Sequence, residues 1–170
     1  MSSTADSSLH VLVLAAGAAR RFGSPKQLVR VEGRPLLHRA VAAATGVAGH
    51  AVTVVLGAYA DQLSALLRHS PVSVVINRQW EEGLASSLRA GIRALPGTCE
   101  GVLVMLADQP NVTQADLARL ASAWRAQPDW LIAASYQGHT GVPAVFPRWT
   151  FPSFAELRGD VGARVLLERH

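Results

Sequence analysis

Residues His10–Ala15 read His-Val-Leu-Val-Leu-Ala, a run with no polar alternation. A strand of that kind is covered on both faces, as in a parallel sheet sandwiched by helices. The run passes directly into Ala16-Gly-Ala-Ala-Arg-Arg-Phe-Gly-Ser-Pro-Lys26, a loop of small residues carrying Gly17 and Gly23. Ligands of open α/β sheets lie outside the carboxyl ends of the strands, and this loop falls there. Glycine has no Cβ, so the backbone at Gly17 and Gly23 can turn sharply and come close to a ligand. The loop closes on Lys26, the only lysine in the chain; the other 15 of its 16 cationic side chains are arginine. A compact ammonium suits a point contact with phosphate. The loop is neither the dinucleotide G-x-G-x-x-G pattern nor a Walker loop, since Gln27 stands where Ser or Thr would follow the lysine.

Four more apolar runs follow: Ala51–Leu56, Val72–Ile76, Gly101–Leu106 and Trp130–Ala134. Between them the spacing predicts helices over Pro35–Thr45, Ala60–Arg68, Gly83–Leu95 and Thr113–Gln127, the last opened by Thr113 with Asp116 in its first turn. This βαβα alternation predicts an α/β fold with a mostly parallel sheet and right-handed crossovers. After Ser135 the rhythm changes. Val142–Phe146 is a short run interrupted by Pro143, which predicts an edge or β-arm strand. Short helices are expected over Pro152–Leu157 and Val161–His170. At 170 residues one domain is expected, over residues 9–170, behind a polar, disordered tail at 1–8.

Composition narrows the function classes. The net charge of +4 suits anionic small molecules, and the scattered arginines with 6% aromatic residues form neither a basic stripe nor a stacking platform for nucleic acid. Cys99 is the single cysteine, so no internal disulfide forms, and a reduced, cytoplasmic setting is expected. Met1–Ser8 lacks the basic and apolar regions of a signal peptide, and no apolar run approaches the length of a membrane span.

Three further segments carry chemistry. Asn77, Trp80, Gly83, Ser86 and Ser87 surround the start of the third helix, where free backbone N–H groups make an anion or base cradle; an ordinary helix cap is the alternative. Asp108 ends the fourth apolar run in Ala107-Asp-Gln-Pro110, on the same sheet edge as Lys26, and is the best-placed magnesium ligand; an Asx turn is the alternative. Asp160, set between Gly159 and Gly162, is expected either to serve as a second metal ligand or to cap the last helix. His139 falls in an expected loop where it can touch an acceptor.

Together these segments resemble the MobA-like nucleotidyltransferases, and most closely the molybdenum cofactor cytidylyltransferase branch. The opening pattern is carried by Leu14-Ala15-Ala16-Gly17, Arg21, Phe22, Gly23 and Lys26. The middle pattern is carried by Asn77, Trp80, Gly83, Ser86, Ser87, Leu88 and Gly91, and the metal segment by Leu106–Pro110. The late patterns are carried by Gly141 with Pro143 and by Gly159–Arg164. Ala19 departs from the serine common in the first loop, and the family's last acidic segment, D-x-D-T-P-like, has no counterpart before His170.

The resemblance implies a Rossmann-like three-layer sandwich. It implies transfer of CMP from CTP to the phosphate of molybdopterin with release of pyrophosphate, Mg2+ as cofactor, and a molybdoenzyme as partner. Lys26 and Arg21 are then the triphosphate residues and Asp108 the metal ligand, with Leu14, Ala15, Ala16, Gly17, Gly23, Asn77, Gly83, Ser86 and Ser87 around the nucleotide. Another phosphorylated acceptor such as a sugar 1-phosphate, or a nucleotide-binding module without catalysis, are the alternatives.

Overall fold

The computed structural model describes residues 8–19 and 23–170. In chain order the elements are β1 (Leu9–Ala15), β2 (Arg30–Val31), β3 (Arg34–Pro35), α1 (Leu36–Ala48), β4 (Val52–Leu56), α2 (Ala60–Leu66) and β5 (Ser73–Ile76). There follow α3 (Leu84–Arg93), β6 (Gly101–Leu106), α4 (Gln114–Ala126), β7 (Ile132–Tyr136), β8 (His139–Pro147), α5 (Phe151–Phe154) and α6 (Arg164–Arg169). The central sheet has six strands in the order β5-β4-β1-β6-β8-β7, and β8 alone runs against the others. β2 and β3 form a separate two-residue ribbon that the sequence pattern did not suggest.

The unbroken apolar run of β1 is explained by its position. Val11, Val13 and Ala15 pack into one core with α1, α2 and α4. Leu12, Leu14 and Ala16 pack into a second core on the opposite face with α3, α5 and α6. Each face of β1 is thus covered by a helical layer, which makes the three-layer sandwich. Gly91 lets α3 lie against β1, because a Cβ there would stand 2.6 Å from the Leu12 side chain. The second core is tightened by an edge-to-face pair between Phe146 and Phe154, centroids 5.1 Å apart, a geometry that contributes ~0.5–1.5 kcal/mol beyond area burial.

The expected helices form, with ends shifted by a few residues. α4 begins as predicted: Thr113 accepts from the Asp116 N–H and the Asp116 carboxylate accepts from the Thr113 N–H, a complete capping box. The last apolar segment differs from expectation. β8 is a nine-residue inner strand between β6 and β7, not an edge or arm, and His139 begins this strand rather than sitting in a loop. Pro143 is tolerated because β6 pairing stops at Ala144, while the β7 register shifts between Ala133 and Ala134. A bulge needs no ladder N–H from proline. Of the expected tail at 1–8, only Ser8 lies among the described residues; its carbonyl accepts from the N–H groups of Glu100 and Gly101 at 2.9 and 3.3 Å. No helix among the described residues is long and apolar enough to cross a membrane.

Candidate functional site

β4 lies on one side of β1 and β6 on the other, so the chain reverses its lateral progress at β1. A crevice forms outside the carboxyl ends of strands at such a switch point. Here it is a pocket of about 580 Å³. Leu14–Ala19, Lys26 and Gln27 form one wall, Trp80–Leu84 and Ser87 a second, and Leu106–Asp108 with Asp160 a third. Lys26 and Asp108, separated by 82 positions in sequence, therefore face one cavity.

The first wall is mostly backbone. Gly17 is exposed, and Ala19 and Gly23 take positive φ values of 49° and 73°. That conformation comes without strain to Gly23 and is uncommon for Ala19. The loop is held from outside. The Gln27 side-chain amide donates to the carbonyls of Ala15 and Gly17 at 3.0 and 3.3 Å, and the Tyr59 hydroxyl donates to the Ala18 carbonyl at 3.1 Å. Ala58 N–H donates to the Ala16 carbonyl at 3.0 Å. In the sequence Gln27 served only to exclude a Walker loop; its role in holding the first loop needs the fold to be seen. Arg21 lies outside the described residues.

The second wall is tied internally. Asn77 is buried, and its amide donates to Ser86 Oγ at 2.8 Å and Ser87 Oγ at 3.0 Å. Ser86 Oγ in turn lies within donating distance of the carbonyls of Gly83 and Gln79, at 2.8 and 3.0 Å. Asn77 Oδ1 accepts from the Gln79 N–H at 3.0 Å. Asn77 and Ser86 are thus spent on shaping the turn and do not line the pocket, whereas Ser87 and Gly83 do.

The N–H groups expected to be free at the start of α3 are already engaged. Asp160 Oδ1 accepts from Leu84 N–H at 3.4 Å, and the Gly159 carbonyl accepts from Ala85 N–H at 3.1 Å. Gly83, at φ 112°, allows this approach, since a Cβ there would stand 2.6 Å from the Gly159 carbonyl oxygen. Asp160 therefore caps α3 and not the last helix as expected, because packing brings its loop onto the start of α3, where its negative charge is favourable; it also lines the pocket.

The third wall follows β6. The Ala107 N–H donates to the Leu14 carbonyl at 3.0 Å, binding the two strand ends together. Gln109 braces the turn, its amide donating to the Val142 carbonyl at 3.2 Å and its oxygen accepting from Leu106 N–H at 3.4 Å. This leaves the Asp108 side chain exposed at the pocket wall. Gly23 is not among the residues lining the pocket. Glu81, Glu82 and Trp80 do line it, and Gly57 lets Trp80 in, because a Cβ at Gly57 would lie 2.5 Å from Trp80 Cβ. Among the described residues no three His, Cys, Asp or Glu side chains converge, so a preformed all-protein metal cage is absent there. One or two carboxylates completed by phosphate oxygens is the arrangement magnesium ordinarily takes.

Known proteins resemble this chain in sequence and in fold. A curated relative, nicotine blue oxidoreductase of Paenarthrobacter nicotinovorans, is 34% identical over 167 residues, covering 93% of this chain and 80% of its own. The bifunctional protein GlmU of Kineococcus radiotolerans is 38% identical over 117 residues, but the match spans only 24% of that protein. The crystal structure of Rv0371c from Mycobacterium tuberculosis H37Rv superposes with a TM-score of 0.83 at 28% identity, covering 95% of this chain and 82% of the other; the same protein has been solved in complex with manganese. The model of the MobA-like NTP transferase domain matches residues 11–170. With that match over residues 11–170, the chain belongs to the MobA-like NTP transferase family, whose members are nucleotidyltransferases.

Proposed function

We propose that this pocket transfers CMP from CTP to the phosphate of molybdopterin, releasing pyrophosphate. The observation that carries the reading is the convergence of Lys26 and Asp108 on one cavity beside the backbone-rich loop after β1. The acceptor phosphate monoester is largely dianionic at neutral pH, its second pKa being ~6. One of its oxygens bonds to the α-phosphorus, and the bond from that phosphorus to the bridging oxygen of the β-phosphate breaks. No side-chain nucleophile is needed, and catalysis rests on alignment and charge. Lys26, with Arg21, holds the triphosphate while Leu14–Gly17 bring backbone groups to the nucleotide. Asp108 holds a divalent cation, whose contribution is to neutralise charge on the phosphates. Asp160 stands as a second ligand, with its carboxylate shared with the α3 cap. The manganese complex of Rv0371c supports a divalent metal, and magnesium is the cation proposed.

CTP is preferred over GTP because Ala16 adds a methyl on the pocket wall where a second glycine would leave room for a purine. A methyl-sized difference discriminates ~10–200-fold. The test is pyrophosphate release with both nucleotides in competition. CTP is expected to win, and a preference for GTP overturns the cytidylyl assignment.

A second reading is carried by the relative named an oxidoreductase. In it the same pocket holds a nucleotide electron carrier. Substrate-dependent oxidation of NADH or NADPH without pyrophosphate release would favour that reading over nucleotidyl transfer.

A further inference from the structure

Every carbonyl from Ala15 to Ala18, in the loop after β1, is held by a donor from elsewhere in the chain. The Gln27 amide nitrogen carries two hydrogens and gives them to the carbonyls of Ala15 and Gly17, at 3.0 and 3.3 Å. The Ala58 N–H holds the Ala16 carbonyl at 3.0 Å, and the Tyr59 hydroxyl holds the Ala18 carbonyl at 3.1 Å. Ala15–Ala19 line the pocket, whereas Ala58 and Tyr59 do not. A peptide unit is planar and trans, so its N–H points opposite to its C=O. Holding the Ala16 and Ala18 carbonyls from outside the pocket therefore turns the N–H groups of Gly17 and Ala19 the other way. Among the described residues no backbone carbonyl accepts from either.

Both holding side chains carry a cost. Gln27 is only 5% exposed, and its Oε1 has no hydrogen-bond partner among the described residues. A buried polar atom without a partner is unfavourable, yet turning the amide over would set Oε1 against two carbonyls. The position thus uses the amide nitrogen alone, and uses it on the loop. Tyr59 sits at φ 60°, in the left-handed region where a bulky residue is uncommon. Strain of this kind persists where the surrounding structure imposes it, and it gathers at functional sites.

We propose that Gln27 and Tyr59 are positioning residues for the triphosphate, setting the direction of the loop N–H groups that meet it. The inference rests on the nucleotidyl-transfer reading, which puts the triphosphate at this loop. Tyr59 is the sharper probe. It stands outside the pocket, so its effect on phosphate binding passes through the Ala18 carbonyl.

The test is calorimetric titration of the full chain, in magnesium, with CTP and with inorganic tripolyphosphate; cytidine is read by its displacement of CTP. Tyr59→Phe removes one hydroxyl and keeps the ring. It should weaken CTP and tripolyphosphate alike by about 5-fold, the loss of one hydrogen bond, while cytidine affinity and melting temperature hold. Gln27→Glu keeps the shape but replaces two donors with acceptors, and should weaken both by about 10-fold or more. Tyr59→Phe, at a partly exposed position, carries the test if Gln27→Glu does not fold. Parental affinity for CTP and tripolyphosphate in Tyr59→Phe would overturn the proposal. So would an equal loss for cytidine, which marks a general loosening of the fold. A parent chain that binds neither CTP nor tripolyphosphate sinks the nucleotidyl reading, and this proposal with it.

Discussion

At the amino end of the sheet, polar side chains are engaged by partners within the protein. Buried His10 shares a 2.8 Å hydrogen bond through Nε2 with Thr53 Oγ1. Arg148 Nη1 donates to the carbonyls of Gly97 and Cys99 at 2.8 and 2.7 Å, and Cys99 Sγ lies 3.2 Å from the Gly101 carbonyl. Trp124 covers Gly101 so closely that a Cβ there would stand 2.4 Å away. At the carboxyl end of the same strands, Lys26, Glu81 and Asp108 stand exposed around a large pocket. A parallel sheet brings all its strand ends to one side, so one set of strands supplies a sealed floor and an open site. Groups at the floor hold the fold, and groups at the rim are free to meet a ligand.

Five substitutions test this division. Asp108→Asn should give the largest effect, about 10²-fold or more on turnover, since electrostatic stabilisation dominates phosphoryl transfer. Its melting temperature should stay that of the parent. Asp160→Asn should be milder and partly rescued by added magnesium; magnesium titrations of pyrophosphate release read both. Normal turnover in Asp108→Asn at ordinary magnesium would break the assignment of the rim.

Lys26→Ala should weaken nucleotide binding about 10- to 100-fold, corresponding to loss of a charged hydrogen bond worth ~1.5–3 kcal/mol. Direct titration of CTP measures it, with circular dichroism confirming that the fold is retained. An unchanged affinity would move the triphosphate elsewhere.

Asn77→Ala sharpens the comparison, because Asn77 lies at the carboxyl end yet behaves like the floor. Removing it leaves the turn before α3 without its organiser, at a cost of ~1–3 kcal/mol for the buried groups it now satisfies. Urea denaturation should show that loss at saturating and at zero nucleotide alike. A variant of parental stability with weakened CTP binding would make Asn77 a ligand contact instead.

The smallest effect belongs to His10. Burial pushes its pKa below the usual 6.5. Above both pKa values neither state is protonated, and this group adds no pH dependence. As pH falls below 6.5 the unfolded chain takes the proton first, so stability declines and levels off once the folded pKa is passed. Urea midpoints at about pH 8 and about pH 5 should differ less in His10→Gln than in the parent. An equal difference would assign the acid sensitivity to other groups.

Much of this architecture could be read along the chain. The run His10–Ala15 implied a strand covered on both faces because each residue of a doubly buried strand must be apolar, whichever way it points. Thr113 with Asp116 marked the start of α4 because a capping box is a local hydrogen-bond exchange. Lys26 and Asp108 were visible because each follows an apolar run, and parallel strands put their ends on one side. Other features depended on partners remote in sequence. Val142–Phe146 was expected at an edge because Pro143 interrupts it; only the register shift opposite Ala133 and Ala134 lets the strand lie inside the sheet. Ser86 and Ser87 resembled a ligand cradle, and nothing local shows that Asn77 engages both. Asp160 caps a helix that begins 76 positions earlier.

Hydrophobic period and strand direction are local properties of the chain, so the layering and the edge of the sheet at which the pocket opens were already legible in the residues. Which polar groups are left free to act was decided by tertiary structure. A hydrogen-bonding side chain is available to a ligand only when no nearer partner has claimed it, and those partners, Gly159 for Ala85 and Ser86 for Asn77, are chosen by packing.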